Sequence, residues 1–189
     1  GRMLATAASG LGFRTHIYCP EAGGPAAQVS DLEKVAAYDD VAALTKFAQS
    51  VDVATYEFEN IPLRTAEIVA GICPLRPGVR SLELTQDRLI EKNFVRDAGA
   101  TTANFAAIDR AEDCKAALEQ IGAPGILKTR RFGYDGKGQV EIKLGSSAGD
   151  VEKAFSDLGR VPLILEQKIP FVCEISAVIG RALDGRMAI

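Results

Sequence analysis

The sequence contains one histidine, His16, and no tryptophan. A mechanism that needs a histidine base together with histidine metal ligands is nearly excluded. Aromatic residues make up only 6% of the chain, too few for a base-stacking platform that would hold single-stranded nucleic acid. The net charge of −3 gives no electrostatic case for nucleic acid either. The four cysteines, Cys19, Cys73, Cys114 and Cys173, are scattered with no CxxC pair, so no zinc site is expected. Isolated cysteines of this kind read as reduced thiols and place the protein in the cytoplasm. No apolar run reaches the roughly 18 residues that a membrane span requires. Residues 1–12 carry glycines and a single basic residue, unlike a signal peptide. What remains is ordinary globular composition, 47% apolar and 25% charged over 189 residues. That length suits one large domain or two small ones.

Hydrophobic periodicity predicts a helix over 1–11, ended by Gly10 and Gly12, and a strand over Arg14–Cys19 stopped by Pro20. A short strand follows near Lys34–Ala36. A helix over 40–49 is capped by Asp39 or Asp40. Val51–Tyr56 reads as a buried strand that ends in the acidic group EFEN. A helix over 62–70 precedes a linker bracketed by Pro74 and Pro77. The alternation of strand and helix is that of an α/β layer with a parallel sheet. A domain boundary is expected at 78–84, giving domains over 1–80 and 81–189. The second part predicts a charged helix over 84–98, strands over 105–108, 125–129, 140–144, 163–166 and 173–179, and helices over 111–121 and 150–158. It reads as an α+β unit with hairpin-joined strands.

The densest chemical signal is GILKTRRFGYDGKGQ, residues 125–139. Glycines 133, 136 and 138 lie between two strands, and the spacing is not that of a Walker loop. Glycine permits positive φ and close backbone approach, and successive N–H groups in such a loop point at anions. Lys128, Arg130, Arg131 and Lys137 cluster there. Two readings stand side by side: a flap over a polyphosphate, and a glycine-rich hairpin with solvated charges. Lys128 follows an apolar run on a strand, where a buried ammonium needs a partner, and a phosphate oxygen would serve. Glu166 ends another apolar strand, LILE. The following Gln167–Pro170 reads as a hinge that offers backbone groups to an adenine edge. Glu174 reads equally as a ribose-binding carboxylate or a surface charge. Read alone, Arg88 is an i,i+3 partner of Glu91 on a solvated helix. Lys92, Arg130 and Arg131 read as solvated charges, and His16 as structural.

QDRLIEK (86–92), KTRR (128–131), GYDGKGQ (133–139), ILE (164–166) and EIS (174–176) together resemble the ATP-grasp superfamily. Their wording resembles its 5-(carboxyamino)imidazole ribonucleotide synthase family. GRML (1–4) is similar to the end of that family's GGGQLGRM opening, and PAAQ (25–28) and TYEFEN (55–60) match it too. The resemblance covers essentially the whole chain. It implies a Rossmann-like pre-ATP-grasp domain followed by an α+β ATP-grasp domain. The first strand and the C-terminal part of the family chain would be missing, leaving an incomplete and inactive unit.

The resemblance further implies that ATP phosphorylates bicarbonate to carboxyphosphate. The exocyclic amine of aminoimidazole ribonucleotide then takes up the carboxyl group. By resemblance, Arg88, Lys128 and the flap residues Gly133, Tyr134, Asp135, Gly136, Lys137, Gly138 and Gln139 contact ATP. Glu166, Gln167, Lys168 and Ile169 form the adenine hinge, and Glu174 meets the ribose. Lys128, Tyr134 and Lys137 are implied in catalytic contact. Glu57, ahead of Glu59, is implied to bind the amine-bearing nucleotide, at the carboxyl end where open α/β sheets hold ligands. Magnesium is implied as a cofactor with ligands beyond Ile189, so no metal ligand is assigned here. The full-length family enzyme is expected to be a homodimer with small-molecule substrates and neither nucleic acid nor membrane as partner. Two alternatives stand: a formate-using glycinamide ribonucleotide transformylase or biotin carboxylase-like ligase, and a Rossmann-type NAD(P)-binding protein with Glu21 on the ribose.

Overall fold

The computed structural model describes residues 1–133 and 137–189. Helix α1 (Arg2–Gly10) leads to β1 (His16–Cys19), a 3₁₀ turn (Ala27–Val29), β2 (Leu32–Val35), α2 (Val41–Gln49), α3 (Leu63–Ala70) and α4 (Val79–Thr85). Strands β1 and β2 pair in parallel, from His16 opposite Leu32 to Cys19 opposite Val35. The Asp40 carboxylate caps α2 by accepting from the Ala43 N–H at 2.9 Å, satisfying an otherwise orphaned donor. Leu44 and Ala48 on α2 pack against Ala66 and Val69 on α3, with Cys73, Leu75 and Leu82 completing a small core. His16 places Nδ1 3.1 Å from Ser50 Oγ and its ring edge-on to Phe47.

Val51–Tyr56 does not form the expected buried strand. Only Ala54 bridges, in parallel to Leu75, and Val53 is exposed. Its neighbouring segment contains Pro74 and Pro77, which have no N–H to donate, so the ladder stops after one step. The parallel sheet of the first domain is therefore limited to β1 and β2, plus this bridge. The expected helix over 84–98 is two helices, α4 and α5 (Arg88–Asp97). Asp87 breaks them apart in extended conformation (φ −127°, ψ 118°) and caps α5 with its carboxylate.

The second unit continues with β3 (Phe105–Ile108), α6 (Asp113–Ile121), β4 (Gly125–Thr129), β5 (Gln139–Ile142), α7 (Ala148–Asp157) and β6 (Leu163–Gln167). These strands form one antiparallel sheet in the order β3-β6-β4-β5. Strand alternation divides its two faces. Leu127, Leu163, Leu165, Ile108 and Ile142 face α6 and α7 and are almost fully buried with Cys114, Val151 and Phe155. Each such aliphatic side chain contributes about 1.5–3 kcal/mol of burial. A capping box of Ser147 and Asp150 starts α7. The opposite face carries Lys128, Ile164 and Glu166.

The expected strand over 173–179 is absent. Residues 168–189 are exposed, with only the short pair β7 (Gly180–Arg181) and β8 (Met187–Ala188). No ladder neighbour lies beside 173–179 among the described residues, and an apolar pattern alone does not make a strand without one. All four cysteines are free thiols. Among the described residues no helix is long and apolar enough to cross a membrane.

Candidate functional site

Glu166 sits near the end of β6, 6% exposed, opposite Phe105 on one side and Ile126 on the other. Lys128, one diagonal step away on β4, places Nζ 2.9 Å from Glu166 Oε2. The partner the sequence argument sought for Lys128 is thus a carboxylate within the fold. Lys92 reaches the same oxygen at 3.4 Å from α5, with its side chain 19% exposed. It is not the surface charge its helix position suggested. The other oxygen, Glu166 Oε1, is buried with no hydrogen-bond partner among the described residues. A buried carboxylate oxygen left unpaired is costly, and it marks a place for an incoming donor. Two cations therefore converge on one carboxylate that still has accepting capacity.

The glycine-rich segment begins where β4 ends. The Thr129 N–H donates to the Gly138 carbonyl at 2.8 Å, closing the loop's base. A side chain at Gly133 would put its Cβ 2.8 Å from Thr129 Oγ1, and one at Gly138 2.6 Å from it. Gly138 also has φ +73°, a conformation that favours glycine. Gly133, Lys137 and Gly138 thus stand at the base of the loop, and Gln139 opens β5 opposite Lys128. Tyr134, Asp135 and Gly136 lie outside the described residues.

Arg88 does not pair with Glu91 as the i,i+3 reading held. Its guanidinium instead reaches the Gly133 carbonyl at 3.4 Å, and its N–H donates to the Arg130 carbonyl at 3.0 Å. Arg130 is not a solvated charge, whereas Arg131 is exposed. Arg130 holds Asp87 through Nε and Nη2 (2.8–3.1 Å) and reaches Asp109 through Nη1 at 3.0 Å. Burial would raise the Asp87 pKa, but the Arg130 hydrogen bonds and the α5 amides outweigh it and hold the carboxyl below its ordinary value. Arg131 donates to Gln86 Oε1 at 2.7 Å.

A cleft of about 440 Å³ opens beside this cluster, lined among others by Glu57, Glu59, Arg88, Glu91, Arg130 and Gly133. It brings the acidic EFEN group of the first unit to the base of the flap in the second. Glu57 also contacts the α-amino group of Gly1. Burial pushes the Glu91 carboxyl up; Arg88 and Lys92 oppose this, while Glu59 and Glu166 add to it.

The hinge residues are partly used by the fold. The Gln167 N–H donates to the Asn104 carbonyl at 2.8 Å, and the Lys168 N–H to the Pro124 carbonyl at 3.2 Å. Lys168 Nζ meets Glu141 at 2.7 Å, and Ile169 is exposed. Glu174 lies exposed on the extended segment after β6, and the structure does not bring it to the Lys128–Glu166 pair. Lys92, Glu91 and Gln86 are cleft or cluster residues that sequence reasoning missed. The i,i+4 spacing of Arg88 and Lys92, which puts both on one face of α5, was the available signal.

Two family models match the chain: a ribonucleotide synthetase preATP-grasp domain over residues 1–86 and an ATP-grasp domain over residues 93–189. The chain belongs to the ATP-grasp family. Among its relatives, the N5-carboxyaminoimidazole ribonucleotide synthase of Brucella melitensis is 44% identical over 191 residues, covering 100% of this chain and 52% of that protein. A solved N5-carboxyaminoimidazole ribonucleotide synthetase in complex with ADP is 37% identical with a TM-score of 0.90, covering 99% of this chain and 49% of the other. The Staphylococcus aureus N5-carboxyaminoimidazole synthetase complexed with ADP is 31% identical, again with a TM-score of 0.90, over 98% and 49%. The chain spans about half the length of the curated relatives it matches. In the ATP-grasp arrangement, the antiparallel β3-β6-β4-β5 sheet and its flap form the second unit, and the β1–β2 layer belongs to the first.

Proposed function

We propose that this chain supplies the acceptor loop and the nucleotide-binding face of an ATP-dependent ligase that carboxylates 5-aminoimidazole ribonucleotide. The observation that carries the reading is Glu166: a buried carboxylate with one oxygen unpartnered among the described residues, under two lysines, near the base of a glycine-rich loop. ATP enters as a substrate. Lys128 and Lys92 offer positive charge to its phosphates, and Glu166 Oε1 accepts from an amine or hydroxyl of the nucleoside. The loop from Gly133 to Gln139 covers the phosphates, and Arg88 holds its near end through the Gly133 carbonyl.

Bicarbonate attacks the γ-phosphorus, giving carboxyphosphate and ADP. The exocyclic amine of the acceptor then attacks the carboxyl carbon, releasing inorganic phosphate and a proton and leaving the N5-carboxyamino product. Such a route needs electrostatic clamping and exclusion of water from a labile acyl phosphate, with no covalent enzyme nucleophile. Glu57 and Glu59, across the cleft from Arg88, receive the amine-bearing nucleotide. Among the described residues there is no group of three or more His, Cys, Asp or Glu that could hold a metal ion; a magnesium ion carried by the ATP phosphates would need only one or two carboxylates. A cytoplasmic, homodimeric enzyme belongs to the same proposal.

The test is ADP release by the intact protein carrying these residues, with ATP and bicarbonate, with and without 5-aminoimidazole ribonucleotide. Release stimulated by that acceptor supports the reading. Stimulation by formate with glycinamide ribonucleotide instead, or micromolar NAD(P)H binding with none of ATP, overturns it.

A further inference from the structure

The loop that carries Glu57 and Glu59 is held by side chains, with Ile61 against the small core and Glu57 on the Gly1 amino group, and by little of its own main chain. Among the described residues, no backbone–backbone hydrogen bond ties residues 57–61 to the rest of the chain. Two of its carbonyls are nevertheless satisfied by one side chain. Gln86 Nε2 donates to the Glu59 carbonyl at 2.8 Å and to the Ile61 carbonyl at 2.6 Å. Its Oε1 accepts from Arg131 at 2.7 Å. An amide has two donor hydrogens and two acceptor lone pairs, so three of its four valences are occupied. The partners also fix which way the amide faces, since two carbonyls demand the nitrogen and a guanidinium demands the oxygen. Gln86 itself is only 8% exposed, which limits the access of water to its amide.

The flanking residues bind the other side. Asp87 grips Arg130, and Arg88 grips the Arg130 and Gly133 carbonyls. Residues 86–88, at the break between α4 and α5, therefore all reach the base of the flap, while the Gln86 side chain also reaches back to the acidic loop.

We infer that Gln86 is the positioning residue for the acceptor: it holds the Glu57–Glu59 loop at a set distance from the base of the glycine-rich flap. The inference rests on the reading of this cleft as the acceptor site. It touches neither substrate directly. It acts through the loop's main chain, which orients both carboxylates. Its partner Arg131 fixes the amide and so transmits the position of the flap's base to the loop.

Three substitutions separate the parts. Gln86→Met removes every polar contact at similar volume. Gln86→Glu retains the acceptor for Arg131 and loses both donors to the loop. Arg131→Met removes the contact to Oε1 and the guanidinium's approach to the Phe132 ring, and leaves both donors to the loop in place. In the intact protein, Gln86→Met and Gln86→Glu are expected to raise the KM for 5-aminoimidazole ribonucleotide by about tenfold, the scale of losing a buried hydrogen-bond partner. The KM for ATP should stay within about twofold, and Arg131→Met should raise the acceptor KM by only about threefold. Limited proteolysis with a glutamate-specific protease, which needs no turnover, should cut after Glu57 or Glu59 several-fold faster in both Gln86 variants, with the rate of cutting elsewhere unchanged. An acceptor KM within about twofold of wild type in Gln86→Met overturns the inference, as does an equal rise in both KM values. If the wild-type protein shows no acceptor-dependent turnover, the ligase reading fails. The rate of cutting after Glu57 or Glu59 then still decides the role of Gln86, and a rate unchanged from wild type overturns it.

Discussion

Replacing Arg130 by Met tests whether the start of α5 is held to the end of β4 by charge. Arg130 makes three hydrogen-bond contacts to the Asp87 carboxylate, and the two side chains are 16% and 11% exposed. Removing one partner of a buried ion pair typically costs about 3–5 kcal/mol, because the other charge remains buried without compensation. Asp87 would still accept from the Leu89 N–H at 2.9 Å and the Ile90 N–H at 3.4 Å, which lowers the penalty. The expected loss is therefore at the low end, about 3 kcal/mol. With a urea slope of about 2 kcal/mol/M, the unfolding midpoint should fall by about 1.5 M with the slope unchanged.

Acid supplies an independent check. The folded Asp87 carboxyl titrates below its unfolded value, so its contribution is fully present above the unfolded pKa, about 3.9. That contribution is lost as pH falls through the lower folded pKa. The gap between wild type and Arg130→Met should then narrow below about pH 4. Asp87→Asn should cost less than Arg130→Met, and the double variant less than the sum of the two. A midpoint shift under about 0.3 M, or strict additivity in the double variant, would refute the claim that this pair pins the helix to the strand.

Two further outcomes are expected. Leu127→Ala, at a fully buried position on the helix-covered face of the sheet, should cost about 2–5 kcal/mol by urea unfolding while leaving the exposed end of Glu166's face unaltered. Gly133→Ala should weaken ADP binding measured by calorimetry, because the new Cβ falls 2.8 Å from Thr129 Oγ1. Adding Thr129→Ala should restore most of the affinity; no recovery would show that this contact is not what excludes a side chain.

The glycine loop, the lysine on an apolar strand, the buried glutamate and the acidic EFEN group were all legible in the chain. Their residue types restrict them to few chemistries, and their order matches the family. The partnerships were not legible. Lys92 and Arg130 look like helix and hairpin charges in one dimension, since nothing local shows that Glu166 lies 74 positions from one and Asp87 43 positions from the other. Val51–Tyr56 has a strand's composition but only a proline-bounded neighbour, and 173–179 has a strand's alternation without a ladder partner.

Local propensity determined where most helices and strands occur, because caps, glycines and periodicity act within a few residues. It also placed lysines, arginines and carboxylates in the segments that meet at the site. Tertiary structure alone decided which cation meets which carboxylate, that Glu166 keeps one oxygen unpartnered among the described residues, and that Gln86 joins the acidic loop to the base of the glycine-rich loop. Those outcomes depend on burial and on distances between segments far apart in sequence, and these arise only when the chain has folded.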